Sequence, residues 1–259
     1  MSNITIILPV SRNSFVDRVL TNIELLETGK HKVSLLVIVD GPNDLFIKVR
    51  NRISKLKYED SLCIPFESTH KLRHFDVLGR RMRISDIHNQ IKKNLNKCDY
   101  ILSLEDDTLI PHNTLELLYN EYTKDPYMGF ISGLEIGRWG HPHIGAWKVD
   151  DLYNITEITS IDKPESVQEV DAAGFYCMLT PFEVYMSHEF KPFGNNQLGP
   201  DVDYGLELRK QGYINKVHNQ ILCTHLTKDK EIKFSNTEIV KVQLKKNENN
   251  DNFRISKVF

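Results

Sequence analysis

Apolar residues follow two rhythms along this chain. Short runs that are apolar at nearly every position alternate with longer stretches where apolar residues recur every three or four positions. The first kind predicts a strand buried on both faces and the second an amphipathic helix. Ile4–Val10 is a run of the first kind, ended by Ser11-Arg12-Asn13. Ser14–Leu26 comes next as a helix with Phe15, Val19, Ile23 and Leu26 on one face and Gly29 as its stop. Val33–Val39 predicts a second buried strand, closed by Asp40-Gly41-Pro42-Asn43-Asp44, and Leu45–Leu56 a second helix. Leu62–Phe66 is a weaker strand, Arg83–Leu95 a helix, Tyr100–Leu104 a strand, His112–Tyr122 a helix and Met128–Leu134 a strand. This alternation predicts an α/β fold, a mostly parallel sheet with helices on both faces.

The second half has a different character. Gly137–Trp147 is rich in Gly, His and Trp, and Asp150–Ser166 is polar and loop-like. Val167–Leu179 predicts a strand that passes through the small residues Ala172-Ala173-Gly174. Asp201–Gln211 predicts a helix closed by Gly212, and Ile221–Leu226 a last short strand. Lys245–Asn252 has the composition of a flexible stretch.

Composition narrows the class. The 259 residues, 40% hydrophobic and 26% charged, suffice for one large domain with a substantial core. A net charge of -2 gives no global case for nucleic acid or an anionic membrane. No apolar run reaches the roughly 18 residues of a spanning helix. The opening MSNITIILPV lacks a basic leader region and predicts a strand rather than a signal peptide. Cys63, Cys98, Cys177 and Cys223 are widely spaced with no CxxC, which fits a reduced, cytoplasmic protein and offers no zinc site.

In open α/β sheets ligands bind beyond the carboxyl ends of the strands. The polar clusters fall there: Ser11-Arg12-Asn13, Asp40–Asp44 and Glu105-Asp106-Asp107. Neither GxGxxG nor GxxxxGK[ST] occurs, so a nucleotide must be held by carboxylates, a metal or scattered basic residues. Three adjacent acids repel one another unless a cation, hydrogen bonds or water absorbs the charge. A hard divalent cation does so with one or two carboxylates plus phosphate oxygens. Asp201 falls at a predicted helix start, a capping position that keeps a carboxylate ionised and suits a general base; Asp203, two residues on, points elsewhere. His225 ends the last short strand. The basic stretch His70–Phe75 with Arg80, Arg81 and Arg83 is either a solvated loop or a patch that neutralises a diphosphate or docks an anionic acceptor. Trp139 and the Asp171–Gly174 step are expected to line one substrate pocket, since small residues let a ligand approach the backbone.

Six segments in order, IILPVSRN, LLVIVDGPND, RISDIHNQIKKNLNKCDYILSLEDDTLIP, VDAAGFYCMLTPFEVY, GPDVDYGLELRKQGY and CTHL, resemble the GT-A glycosyltransferases, most nearly the family 2-like branch, over residues 3–226. The resemblance implies a single GT-A domain over 1–228, with 1–135 the nucleotide-sugar-binding half, 136–228 the acceptor and catalytic half, and 229–259 a C-terminal extension. It implies transfer of a sugar from a nucleotide-diphosphate sugar, a UDP-sugar foremost, to an acceptor hydroxyl with inversion. Pro9, Ser11, Arg12, Asp40, Arg83, Asp106 and Trp139 then face the donor, with Asp40 on the base. Glu105, Asp107 and His225 hold Mn²⁺ or Mg²⁺, and Asp201 is the base. Glu105 stands where the family's DxD motif has its first Asp, which leaves open whether Asp106 or Glu105 joins Asp107 at the metal. Pro200 stands where the family has Glu. The acceptor is unassigned among glycan, protein, small molecule and modified nucleic-acid base. Two rival readings are a nucleotidyltransferase on a similar scaffold, which would want a Gly-rich first loop, and a non-catalytic glycan- or nucleotide-binding module.

Overall fold

The computed structural model describes residues 1–58, 60–67, 77–136, 144–150, 154–158, 166–192, 199–228, 230–235, 238–243 and 255–256. The first half alternates as expected: β1 (Asn3–Val10), α1 (Val16–Glu24), β2 (Lys32–Asp40), α2 (Asn43–Ile53), β3 (Ser61–Phe66), α3 (Val77–Asn94), β4 (Tyr100–Leu104), β5 (Thr108–Leu109), α4 (Thr114–Tyr122) and β6 (Met128–Leu134). The second half adds β7 (Ala146–Val149), β8 (Ile155–Glu157), β9 (Val167–Val170), β10 (Ala172–Ala173), β11 (Cys177–Pro181), α5 (Phe182–Ser187), α6 (Pro200–Lys210), β12 (Ile214–Leu222), β13 (Thr224–Leu226), β14 (Lys230–Ser235), β15 (Glu238–Gln243) and β16 (Ile255–Ser256).

The central sheet has eight strands in the order β3-β2-β1-β4-β11-β6-β12-β9. β3, β2, β1, β4, β6 and β12 run one way; β11, antiparallel to both β4 and β6, and the edge strand β9 run the other. Side chains alternate across the sheet, and β1 shows the consequence. Ile4, Ile6, Leu8 and Val10 pack with α1, α2 and α4, while Ile7 packs on the opposite face with Ile87 and Ile91 of α3, Tyr185 of α5 and Tyr204 of α6. An interior strand covered on both faces is apolar at most positions, and from Ile4 to Val10 β1 carries that pattern at every residue but Thr5.

Three departures from the predicted elements have local causes. α3 begins at Val77 rather than Arg83. Its first turns are arginine-rich, so they lack an apolar rhythm, yet arginine is a good helix former. The single strand expected over Val167–Leu179 is three pieces, β9 on β12, β10 on β7 and β11 between β4 and β6. β12 was hidden because it buries polar residues, Asn215, His218 and Asn219. Asn215 Nδ2 donates to the carbonyl oxygens of Asp171 (3.1 Å) and Gly205 (2.9 Å), and so ties β12 to α6.

That contact needs Gly205. A Cβ there would lie 2.4 Å from the Asp171 carbonyl oxygen and 2.8 Å from Ala172 Cα. Backbone must therefore move, and Gly205→Ala is expected to destabilise by about 1–3 kcal/mol in a denaturant melt. The small sheet, β16-β15-β14-β13-β5, carries the chain through residue 228, so that β14 is paired to the strand bearing His225. Lys245–Asn252 lies outside the described residues. All four cysteines are free thiols. Among the described residues no helix is long and apolar enough to cross a membrane.

Candidate active site

Because β1, β2, β4 and β6 run in parallel, the loops after them emerge at one edge of the sheet. Asp106 is locked there. Its Oδ2 accepts from Ser11 N (2.6 Å), Arg12 N (2.8 Å) and Ser11 Oγ (3.3 Å), and its Oδ1 lies 3.1 Å from Arg12 Nη1. The same guanidinium pairs with Asp107 Oδ2. Burial works against the Arg12 charge, but Asp106, Asp107 and Glu105 outweigh it and push its pKa up. Arg12 thus absorbs part of the repulsion that the acid triplet carries. Asp106 itself has its pKa raised, by burial foremost, against the pull of Arg12 and the two backbone donors.

Asp107 has a second neighbour. β5 and β13 pair antiparallel with His225 opposite Thr108, and this brings His225 Nε2 to 3.2 Å from Asp107 Oδ2. Both residues are buried. A ring nitrogen and a carboxylate oxygen at that distance repel through their lone pairs unless a positive centre lies between them, either a proton on the nitrogen or a metal. Behind the ring, Nδ1 lies 3.1 Å from the Ile136 carbonyl oxygen and 3.3 Å from Glu135 Oε2. Among the described residues no three His, Cys, Asp or Glu side chains converge as a closed metal cage. Asp107 and His225 instead form an adjacent oxygen and nitrogen pair, which suits a cation that draws its other ligands from substrate phosphates.

Asp40 closes β2, buried, with Arg83 Nε donating to its Oδ2 and Arg83 Nη2 to its carbonyl oxygen at 3.4 Å. The two donor-side residues expected from sequence therefore meet each other. Pro9 sits within β1 opposite Ile38, one residue short of the edge. Glu105 is partly buried beside this cluster, its carbonyl oxygen accepting from Thr108 N at 3.3 Å. Trp139 and His70–Phe75 lie outside the described residues.

Asp201 belongs to a separate cluster. The helix cap is Gly199 with Pro200 in the first turn, so Asp201 lies inside the helix rather than capping it. Its environment also differs from the expectation that it stays readily ionised. Burial raises its carboxyl pKa, and this exceeds the opposing pull of Arg81 and of the Val202 and Asp201 backbone N–H groups. The space is made by glycine: a Cβ on Gly199 would fall 1.9 Å from Asp201 Oδ1, and one on Gly174 would fall 3.8 Å from Oδ2 and 2.6 Å from the Tyr176 ring. Gly174 thus carries the small-residue step to the carboxylate. The carboxylate of Asp171, at the other end of that step, accepts from Val149 N at 2.6 Å and faces Arg209 Nη1 at 3.3 Å, a structural clamp. Asp203 is buried and points to His188 Nε2 at 3.4 Å, away from Asp201's neighbours. Trp147 packs on Val149, Ala172, Val202 and Leu206.

No family model and no curated protein sequence matches this chain. Solved structures do. GalNAc-T7, crystallised with UDP, GalNAc and Mn²⁺, superposes with a TM-score of 0.60 at 11% identity over 87% of this chain and 44% of its own. A mannosyltransferase, PcManGT from Pyrobaculum calidifontis, solved with GDP-Man and Mn²⁺, gives 0.54 at 14% identity over 83% and 56%. This is a GT-A fold. A197 from STIV gives a TM-score of 0.50 at 10% identity over 99% of this chain and 98% of its own. The chain thus spans about half the length of the two transferases, and nearly all of A197.

Within the GT-A fold, the residues singled out in the sequence divide into three groups: Ser11, Arg12, Asp106, Asp107 and His225; Asp40 and Arg83; and Asp201 with Gly174 and Arg81. α3 links the last two, since Arg81 and Arg83 are two residues apart on it. Sequence reasoning missed Glu135. It had one signal available: like Glu105, it is an acid that directly follows an interior, largely apolar strand.

Proposed function

We propose that this chain is a divalent-metal-dependent glycosyltransferase that moves a sugar from a nucleotide-diphosphate sugar, a UDP-sugar, to an acceptor hydroxyl with inversion. The observation that carries this reading is the Asp107–His225 pair at the carboxyl edge of a GT-A sheet. UDP or GDP-Man with Mn²⁺ in two structures of the same fold supports it. Asp107 and His225 would hold Mn²⁺ or Mg²⁺, which when bound stabilises charge on the departing diphosphate. Arg12, paired with Asp106 and Asp107, is placed to contribute positive charge at the same edge. Asp40, held by Arg83, would orient the nucleoside. Asp201 would take the proton of the acceptor hydroxyl; a single base opposite the leaving group suits direct displacement with inversion. The first loop, Ser11-Arg12-Asn13, carries no glycine, which counts against a nucleotidyltransferase.

The test is a donor-hydrolysis screen of the purified chain with UDP-, GDP- and TDP-sugars, each with Mn²⁺ and with excess chelator. Release of nucleoside diphosphate from a UDP-sugar, lost on chelation, is the expected outcome. Release of pyrophosphate from a nucleoside triphosphate and a sugar phosphate would favour the nucleotidyltransferase instead.

A further inference from the structure

We infer that Glu135 is a positioning residue for the metal, acting through His225. The inference rests on the proposed metal-dependent reading. Glu135 directly follows β6 and is buried. Its Oε1 accepts from Thr108 Oγ1, and Thr108 is the residue paired with His225 across β5 and β13. Its Oε2 lies 3.3 Å from His225 Nδ1. The hydroxyl therefore fixes the carboxylate, and the carboxylate faces the ring on the side away from Asp107.

This placement decides what Glu135 can do. Nδ1 and Nε2 lie on opposite flanks of an imidazole, so a carboxylate at Nδ1 cannot share a cation with Nε2. Nδ1 instead faces two acceptors, Glu135 Oε2 and the Ile136 carbonyl oxygen. Two acceptors demand a donor, which places the proton on Nδ1 and leaves the Nε2 lone pair free for the cation that Asp107 would hold with it. Loss of such a supporting partner typically weakens metal binding by about 10- to 100-fold. A residue serving only to satisfy Thr108 would lower the melting temperature and leave metal affinity in the folded protein unchanged.

The experiment is a Mn²⁺ titration of the full chain in saturating UDP, monitored by the electron paramagnetic resonance of free Mn²⁺, with melting curves alongside. Glu135→Gln keeps a neutral acceptor and is expected to weaken Mn²⁺ binding less than Glu135→Ala, with Glu135→Ala in the range of about 10- to 100-fold. Asp107→Asn serves as the reference loss. Mn²⁺ binding that Asp107→Asn weakens and both Glu135 variants leave unchanged overturns the inference alone. Absence of Mn²⁺ binding by the unmodified chain overturns both the inference and the metal-dependent reading. Should the Glu135 variants fail to fold, nitrogen NMR of ¹⁵N-histidine-labelled unmodified chain, loaded with Mg²⁺ and UDP, decides: a proton on Nδ1 of His225 supports the inference, and a proton on Nε2 overturns it.

Discussion

Asp107→Asn is expected to abolish turnover while the chain keeps a cooperative melt. Asp107 Oδ2 is the atom at which Arg12 and His225 Nε2 meet. The amide in its place is a poor cation ligand and turns a donor toward one of two basic neighbours. A divalent cation that had used this carboxylate and His225 would be left with one protein ligand. Removing a single preorganised electrostatic contact in an active site costs roughly 10²–10³ in kcat, and on the proposed reading a contact and the charge that would anchor the cation go together here. The fold does not depend on it to the same degree. Arg12 keeps its pairing with Asp106, and Asp106 keeps the backbone donors of Ser11 and Arg12. Steady-state rates with donor and Mn²⁺, read beside a thermal melt, check both halves. Full activity of the unmodified chain in excess chelator would remove the metal from this account.

The strands and helices were legible in the sequence because interior strands of a covered sheet are apolar at most positions, and β1, β2 and β4 are so in their central residues. The acids after β4 were legible as candidate site residues because a parallel sheet sends its carboxyl ends to one edge. That Asp107 meets His225, 118 positions later, was not a matter of spacing; it depends on the pairing of β5 with β13, two strands of two and three residues whose composition gives no pattern. β12 was concealed by polar residues buried for structural reasons, of which Asn215 is the one whose partners explain it. The environment of Asp201 was illegible because it is made by groups distant in the chain. Gly174 and Arg81 are ordinary residues until the fold sets them against one carboxylate.

That environment sets the second large effect. Asp201→Asn is expected to lower kcat by roughly 10²–10⁴, the usual loss on removing a general base, with donor affinity little changed because the Arg12, Asp107 and His225 cluster is untouched. A general base works only when deprotonated, so on the proposed reading kcat in the unmodified chain is expected to rise with pH along a limb set by Asp201. Burial displaces that limb upward from the ordinary carboxyl value of 3.8, and Arg81 opposes the displacement. Arg81→Met removes the opposing cation and is expected to move the limb to still higher pH. Stability runs the other way. With its pKa raised on folding, Asp201 binds more protons in the folded chain than in the unfolded one between the two values, so its contribution to stability falls as pH rises through that window. Above the raised value the full cost is present. Asp201→Asn is therefore expected to melt at the same temperature as the unmodified chain or higher at pH above that window, an advantage that disappears below the ordinary carboxyl range, where both folded and unfolded chains are protonated. A base bought with stability is the pattern to look for: rate down, melting temperature not down. Asp203→Asn separates the two acids, since Asp203 faces His188 inside the aromatic cluster and is expected to lower the melting temperature while leaving the pH limb in place. If Asp203→Asn erased the limb and Asp201→Asn did not, the base would be Asp203.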